Sequence, residues 1–331
     1  LGVFLGSMFS AVWIVIANSW QQTPAGFHIV GEGMEARAEI VDFWEMVFNP
    51  SSMDRLVHTW QGAFLAGAFL VLSVHAYYLR RGRYVEISKK AFKIALVVAT
   101  VFSLAQLVSG HSSANGVAVN QPAKLAAFEG HFEKEAPAPM YLIGWVDKSS
   151  QTVTGLSIPG GLSFLLHYEF GAPVTGLNAF PEEDRPSQVN AVFPFYHIMI
   201  SIGMFLIVLT LAGCVQWYRG KLFESRRLLW VFSFAVILPQ IANQVGWFAA
   251  EMGRQPWVVY GLLRTSDALS KSVTANQVMF SLVLFFIVYT ILLLLFLYLL
   301  NKKIKHGPYD EEEDDDRPFQ QEVAASFSPN K

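Results

Sequence analysis

The sequence predicts an all-α protein, a polytopic transmembrane helical bundle with six spans and one large extracytoplasmic loop. Of its 331 residues, 53% are hydrophobic and 15% are charged, against about 25% charged residues in a typical soluble domain. The apolar residues are gathered in long segments, and basic residues cluster in alternate connections between them. This distribution excludes an ordinary soluble enzyme. Cys214 is the only cysteine, which excludes an intrachain disulfide and a covalent C-x-x-C-H haem attachment.

Six apolar segments are candidates for membrane spans. They lie at roughly 1–18, 56–79, 94–110, 191–217, 228–250 and 278–300. At about 1.5 Å per residue, each is near or above the length needed to cross about 30 Å of hydrocarbon. Helices are expected because lipid offers no partner for an unpaired backbone group. Pro239 is expected to kink the fifth span.

The basic residues between the spans predict the orientation in the membrane. The connections that carry them contain Arg80, Arg81, Arg83, Lys89, Lys90 and Lys93, then Arg219, Lys221, Arg226 and Arg227, then Lys302, Lys303 and Lys305. Basic connections are retained in the cytoplasm, and one topology satisfies all three. It places residues 19–55, 111–190 and 251–277 on the outer side.

The connections divide the chain into four parts. Residues 1–110 hold transmembrane helices and an interfacial amphipathic helix near 36–48, and residues 191–300 hold the remaining spans. The intervening loop, 111–190, is too long for a plain connector, and its stretch QPAKLAAFEGHFEKE is helix-like. Residues 301–331 are expected to form a disordered cytoplasmic tail, because from Asp310 onward eight acids face two bases.

Two residues in different spans are candidate ligands for haem iron. His58 and Met199 both lie a short distance inside the outer boundary of their spans, so the topology places an imidazole and a thioether at one depth. Haem iron accepts this pair of axial ligands. The alternatives are a hydrogen-bonded interfacial histidine and a methionine that serves packing. His197 is a rival ligand, although at about 100° per residue it points away from Met199.

The outer end of the fifth span carries further candidates. Glu251 lies three residues before Arg254, which allows an i,i+3 ion pair or a carboxylate that ligates iron or handles protons. Trp247 belongs to an interfacial belt or to a cofactor wall. In the long loop, Lys124 and Glu129 are five residues apart, about 140° around a helix. They lie on a solvated face or form an acid/base pair at an outer substrate site.

These motifs together resemble one family. Gly246–Met252 (GWFAAEM), the following GRQPW, Leu56–Thr59 (LVHT) and Lys124–Glu129 (KLAAFE) occur in the order found in subunit I of the cytochrome bd-type quinol oxidases. The resemblance covers the carboxy-terminal two-thirds of that subunit, in its class with a short quinol-binding loop. It extends from Ala11 to the last span.

The resemblance implies an enzyme, a quinol:O2 oxidoreductase of a respiratory electron-transport chain in a bacterial or archaeal cytoplasmic membrane. Electrons would pass from quinol through a low-spin haem b to a high-spin haem b and haem d, and O2 would become water. His58 and Met199 correspond to the low-spin ligands, and Glu251 to a high-spin ligand. Arg254 would hold propionates and Trp247 would lie between haems. Lys124 and Glu129 match the quinol site.

The implied partners are subunit II and, in addition, a small single-span subunit; no nucleic-acid partner is expected. Two departures from the family pattern stand out. The other high-spin ligand, a histidine, and the acidic proton-path residues are expected before Leu1, so activity would need that part of the protein. His197 stands where many members carry arginine. Two alternatives stay open, a polytopic secondary transporter and a haem-binding membrane subunit without turnover.

Overall fold

The computed structural model describes residues 1–31, 33, 36–270 and 272–308. Within them, the α-helices are α1 (Gly2–Gln22), α2 (Phe43–Val47), α3 (Ser52–Arg81), α4 (Val85–Asn120), α5 (Pro122–Glu129), α6 (Gly161–His167), α7 (Val189–Tyr218), α8 (Arg226–Phe234), α9 (Ile237–Met252) and α10 (Ala275–His306). Three antiparallel hairpins join β1 (Phe27–Val30) to β2 (Arg37–Ile40), β3 (Met140–Asp147) to β4 (Thr152–Ile158), and β5 (Trp257–Val259) to β6 (Leu263–Arg264).

Six helical spans in this part of the chain are long and apolar enough to cross a membrane. They are α1, α3, α4, α7, the α8–α9 pair and α10. The predicted helical bundle with six spans is therefore confirmed. We call the end of the bundle that carries residues 121–188 the loop end. The opposite end, where the basic connections lie, is the basic end.

The fifth span is interrupted between α8 and α9. Pro239 is the third residue of α9, and its ring nitrogen has no hydrogen to donate to the carbonyl of Ala235 one turn earlier. The helix breaks at Ala235 and Val236 and resumes at Ile237. The interruption agrees with the kink expected at this proline.

Close packing of α3, α4, α7 and α8 forms the main core in the basic half of the bundle. Its large buried side chains include Phe69, Leu72, Phe92, Leu96, Leu206 and Phe232. Alanines at 68, 76, 95 and 99 line the same cluster, because small side chains let helix backbones approach closely in a membrane protein. The Ser73 hydroxyl donates to the Phe232 carbonyl at 2.7 Å, which ties α3 to α8.

The long loop differs from the expectation at its start and in its content. Helix α4 continues to Asn120, so the loop begins ten residues after the predicted boundary at 111. The helix expected over 121–135 ends at Glu129. The β3–β4 hairpin was not expected; its residues pair from Met140 with Ile158 to Asp147 with Thr152. Backbone pairing between distant segments of one loop leaves little trace in helical periodicity.

The interfacial helix predicted near 36–48 is wrong in its first half. Residues Arg37–Ile40 form β2 and pair with β1. The helix α2 begins only after Asp42, whose carboxylate accepts a hydrogen bond from the Glu45 amide at 2.9 Å. This N-cap stops the helix from extending toward Arg37.

Helix α10 is hydrogen-bonded to α3 and the following turn near its end. None of its residues is buried. At the basic end, Tyr78 donates to the carbonyl of Ile304 at 2.7 Å, and Tyr84 donates to that of His306 at 3.0 Å. The helix includes residues 301–306, which were assigned to the tail. The predicted disordered acidic stretch lies outside the described residues.

Candidate functional site

The structure places His58 and Met199 at nearly one depth in the loop half of the bundle. Helix α9 lies between α3 and α7: a β-carbon on Gly62 would be 2.6 Å from Asn243 Oδ1, and one on Gly246 would be 2.5 Å from Met199 Sδ. The Gly62–Asn243 contact sets a common level on α3 and α9. His58 lies four residues from Gly62 toward the loop end, and Gly246 lies three residues from Asn243 in the same direction. At about 1.5 Å per residue, the level of His58 and that of Gly246, which touches Met199, differ by about 1.5 Å.

Hydrogen bonds fix the orientation of the His58 ring. Its Nδ1 lies 2.9 Å from Ser109 Oγ, and that hydroxyl donates to Gln61 Oε1 at 2.6 Å. Because a hydroxyl has a single proton, Ser109 accepts from the Nδ1–H of His58. The Nε2 lone pair therefore faces Gln106 Nε2, 3.0 Å away. A metal-binding histidine is held in this way, with one nitrogen anchored and the other free of a proton.

Met199 and His197 leave the same helix in different directions. The Met199 sulfur packs against α9 at Gly246, where a side chain would displace it. The His197 ring stacks on Phe193 with centroids 4.0 Å apart, and its Nδ1–H donates to the Phe193 carbonyl at 2.9 Å. Its Nε2 points toward Glu129. This arrangement favours Met199 over the rival His197 as partner of His58; iron ligation stays a prediction.

Glu251 and Arg254 form the ion pair that their spacing allowed. Arg254 Nη2 lies 2.6 Å from Glu251 Oε2, and Asn18 Nδ2 donates to Glu251 Oε1 at 3.0 Å. Arg254 Nη1 also donates to Gln21 Oε1 and to the Val258 carbonyl. The partly buried side chains of Glu251 and Arg254 thereby join the end of α9 to the end of α1 at the loop end.

Arg55 belongs to this cluster and was missed by the sequence reasoning. It lies in the first turn of α3 and donates to Asn18 Oδ1 at 2.5 Å. Its guanidinium lies 5.9 Å from the centre of the Trp247 ring. A charged residue only three positions before His58 was the available signal, since ionisable groups near membrane depth are costly unless they have a partner or a function.

Lys124 faces the same charged cluster from helix α5. Its Nζ donates to Gln22 Oε1 at 2.8 Å and to Gln121 Oε1 at 3.3 Å. Burial lowers the pKa of Lys124 well below its ordinary value; the positive charge of Arg55 adds to this shift, and the negative charge of Glu251 opposes it. The amine is thus held by neutral amide oxygens, in a position where the proton is easily lost.

Glu129 lies at the other end of α5 and has different neighbours. Its side chain is 4% exposed, its Oε2 has no hydrogen-bond partner within the described part of the chain, and His197 Nε2 lies 4.0 Å away. Burial raises the pKa of Glu129 to about 8, and a hydrogen bond from Tyr196 opposes that rise. The structure therefore does not pair Lys124 with Glu129 directly; the two bind separate sets of side chains.

Local sequence explains why α5 can present both groups. Pro122 begins the helix, and Gly130 ends it with φ of +69°, a conformation that favours glycine. A β-carbon on Gly130 would lie 2.7 Å from the Val153 side chain of the hairpin. A β-carbon on Gly253 would lie 2.8 Å from Phe128. The two glycines let the hairpin and α9 close over the short helix.

The donor set fits haem. The anchored His58 offers Nε2 from α3, Met199 offers a thioether from α7, and Arg254 offers an Nε with no hydrogen-bond partner among the described residues. Imidazole and thioether are haem-iron ligands, and arginine suits a propionate carboxylate. Both oxygens of Glu251 are engaged by Asn18 and Arg254, so an iron at this carboxylate would replace one of those contacts.

Residues 1–308 match the family model described as cytochrome bd terminal oxidase subunit I. The chain is 33% identical to the cytochrome bd ubiquinol oxidase subunit 1 of Bacillus subtilis (strain 168) over 340 residues, covering 98% of this chain and 72% of that protein. It is 31% identical to the cytochrome bd-II ubiquinol oxidase subunit 1 of Escherichia coli (strain K12), with 92% and 72% covered.

A third relative and a solved structure agree with this assignment. The putative cytochrome bd menaquinol oxidase subunit I of Bacillus subtilis (strain 168) is 35% identical, with 94% of this chain and 69% of that protein covered. The bd oxidase from Geobacillus thermodenitrificans matches the fold with a TM-score of 0.81 at 30% identity, covering 92% of this chain and 68% of that one. These matches favour a quinol oxidase over the transporter and the haem protein without turnover. The chain is a multi-pass membrane protein and belongs to the cytochrome bd terminal oxidase subunit I family.

Proposed function

We propose that this chain is the quinol-oxidising subunit of a respiratory complex that reduces O2 to water. The observation that supports this proposal best is the position of α5. This short helix presents Lys124 to the Glu251–Arg254 cluster at one end and buries the Glu129 carboxyl at the other. The candidate quinol residues and the candidate haem residues thus meet at the loop end of one bundle.

His58 and Met199 would hold a low-spin haem b, and Glu251 would hold one of the two high-spin haems, haem b or haem d. When bound, haem supplies one-electron redox chemistry at its iron. Ser109 keeps the His58 proton on Nδ1, so that the unprotonated Nε2 would bind iron in place of its contact with Gln106. Arg254 would bind propionates, and the Trp247 indole beside Arg55 would form part of the wall between the haems.

Glu129 would accept a proton from quinol. Oxidation of a quinol releases two electrons and two protons, so a base must lie near its hydroxyl groups. The carboxyl has one oxygen without a hydrogen-bond partner in the described residues, and its raised pKa of about 8 lies near neutrality. A carboxylate that is charged in a buried position gains a proton readily, which favours this role.

Lys124 would position the quinol headgroup. Its amine is held by two amide oxygens, from Gln22 and Gln121, and its lowered pKa favours a neutral group. A neutral amine that donates its two hydrogens to these amide oxygens keeps a lone pair, which would accept from a quinol hydroxyl without placing a lasting charge in the buried site.

The orientation and the partners are also proposed. The loop end would face outward and the basic end would face the cytoplasm, as the basic connections require. Protons from quinol would then be released outside. The exposed sides of α10 leave room for subunit II or a small single-span subunit.

Glu129→Gln in the complete oxidase tests this proposal, with Glu182→Gln in an exposed turn of the same loop as the control. Loss of the base should slow quinol oxidation by about a hundredfold, while the reduced-minus-oxidised haem spectrum stays unchanged. The control should leave both unchanged. Unaltered turnover in Glu129→Gln would remove this residue from the reaction, and loss of haem would assign it a structural role.

A further inference from the structure

A cavity at the basic end is lined by arginines from two helices. It measures about 370 Å³, and its lining residues are Arg80, Arg226, Arg227, Trp230 and Val231. Arg80 lies in the last turn of α3, and the other two arginines begin α8. The Ser73–Phe232 hydrogen bond holds the two helices together. The three arginines therefore line one opening between two helices that are held together.

The positive charge at this cavity is not balanced by a carboxylate in the described part of the chain. None of the ion pairs there involves Arg80, Arg226 or Arg227, and the first turn of α8 contains no acid. Glu224, the acid nearest to Arg226 along the sequence, is exposed and joins none of the ion pairs formed among the described residues. The amino terminus of α8 adds a partial positive charge. The opening therefore attracts an anion.

An exposed apolar stripe leads from the cavity toward the middle of the bundle. Trp230, Phe234 and Ile237 follow one another at helical spacing and are 53%, 58% and 55% exposed. The Trp230 and Phe234 rings lie 4.7 Å apart. From Arg226 to Phe234, along α8, the stripe is about 12 Å long, at 1.5 Å per residue, and Ile237 at the start of α9 extends it. An acyl chain of a lipid has this shape and polarity.

We propose that the cavity and the stripe together bind an anionic phospholipid. Arg80, Arg226 and Arg227 would contact its phosphate, Trp230 would lie beside the glycerol region, and one acyl chain would follow Phe234 and Ile237. Basic pockets between membrane helices bind anionic headgroups. Free phosphate shares the headgroup chemistry, and the acidic stretch 310–316 of the tail shares its charge. Neither contains an apolar part that would cover the stripe.

Native mass spectrometry of the complete, detergent-purified oxidase tests the proposal. The enzyme is titrated with dioleoyl phosphatidylglycerol and, separately, with dioleoyl phosphatidylcholine. The variant carries Arg226→Gln and Arg227→Gln; the control carries Arg219→Gln and Lys221→Gln, which remove the same charge from the same end outside the cavity. We expect the wild-type enzyme and the control to prefer phosphatidylglycerol by about tenfold or more, and the variant to lose this preference.

The remaining measurements separate the sources of the anion. Trp230→Ser with Phe234→Ser should lower phosphatidylglycerol binding while the haem spectrum stays that of the wild type. Competition by glycerol 3-phosphate at equal concentration would assign the site to free phosphate and overturn the proposal. The proposal would also be overturned if the wild type preferred phosphatidylglycerol over phosphatidylcholine only after deletion of residues 309–331. The tail would then be the occupant of the cavity. Equal lipid preference in the Arg226/Arg227 variant and the wild type would also overturn the proposal.

Discussion

The Nδ1 atom of His58 and the hydroxyl of Ser109 lie 2.9 Å apart, and the hydroxyl donates its hydrogen bond to Gln61 Oε1. This contact joins α3 to α4 and decides which ring nitrogen carries the proton. A candidate iron ligand in this protein is therefore oriented by a neighbouring helix rather than by its own.

Ser109→Ala should weaken haem binding at the low-spin site. Without the hydroxyl, His58 loses the acceptor of its Nδ1–H, and changes of this kind reduce metal affinity by about 10–100-fold. Haem retention on dilution, followed by the reduced-minus-oxidised spectrum, measures the effect. Ser112→Ala removes a hydroxyl on the same helix that binds Asp54 instead, and it should change nothing. A haem content equal to that of the wild type in Ser109→Ala would contradict the prediction.

Met199→Leu should remove most of the low-spin haem b signal, because leucine keeps the packing volume but has no sulfur to ligate iron. Spectra of membranes that contain the complete oxidase provide the measurement. Met204→Leu, at an exposed position five residues later, is the matched control.

His197→Phe tests whether His197, rather than Met199, is the second iron ligand. Phenylalanine retains the stack on Phe193, so the low-spin signal should persist if Met199 is the ligand. An unaltered signal in Met199→Leu, together with its loss in His197→Phe, would reverse the assignment.

Gly246→Ala should disturb the candidate low-spin site without removing any ligand. The added β-carbon would lie 2.5 Å from Met199 Sδ, so the sulfur must shift, and overpacking of this kind costs about 1–3 kcal/mol of stability. We expect a displaced reduction potential or an altered spectrum of the low-spin haem, measured by redox titration. Gly203→Ala is the control, since nothing lies within 4 Å of its β-carbon. Identical titrations of both variants would refute the close contact.

The rate of quinol oxidation should rise with pH up to about 8. The raised pKa of Glu129, about 8, keeps the carboxyl protonated at lower pH, and only the deprotonated form accepts a proton. Well below that value, kcat/KM should increase about tenfold for each pH unit and then level off. In Glu129→Gln this rise should disappear, whereas Glu182→Gln should retain it. An equally steep profile in Glu129→Gln would show that another group titrates.

The spans could be predicted because the hydrophobicity of each segment alone indicates that it lies in lipid. An uncharged run such as 278–300 must form a helix in lipid whatever its neighbours are, and α10 indeed covers it without a buried contact. The strands could not be predicted in this way. Arg37–Ile40 forms a strand because Phe27–Val30 lies beside it, and a partner 7 to 13 residues away does not appear in local periodicity.

Candidate residues such as His58, Glu129 and Glu251 could be chosen from their chemistry and position along the spans. Their partners could not. Arg55 reaches Asn18 of another helix, and Lys124 reaches Gln22 at a separation of 102 residues. Such contacts depend on which helices are neighbours, and the sequence pattern of a single helix does not contain that information.

Hydropathy and charge along the chain were enough to predict the number of spans, the ends of most spans to within a few residues, and the polar groups near those ends. These follow from hydrophobicity and charge, which act on each segment independently. The contacts between helices could be seen only in the folded structure. Lys124 faces the Glu251–Arg254 cluster, whereas Glu129 faces His197. The Met199 sulfur packs against Gly246. Those relationships arise from helix packing, where the absence of a single β-carbon sets how closely two backbones approach.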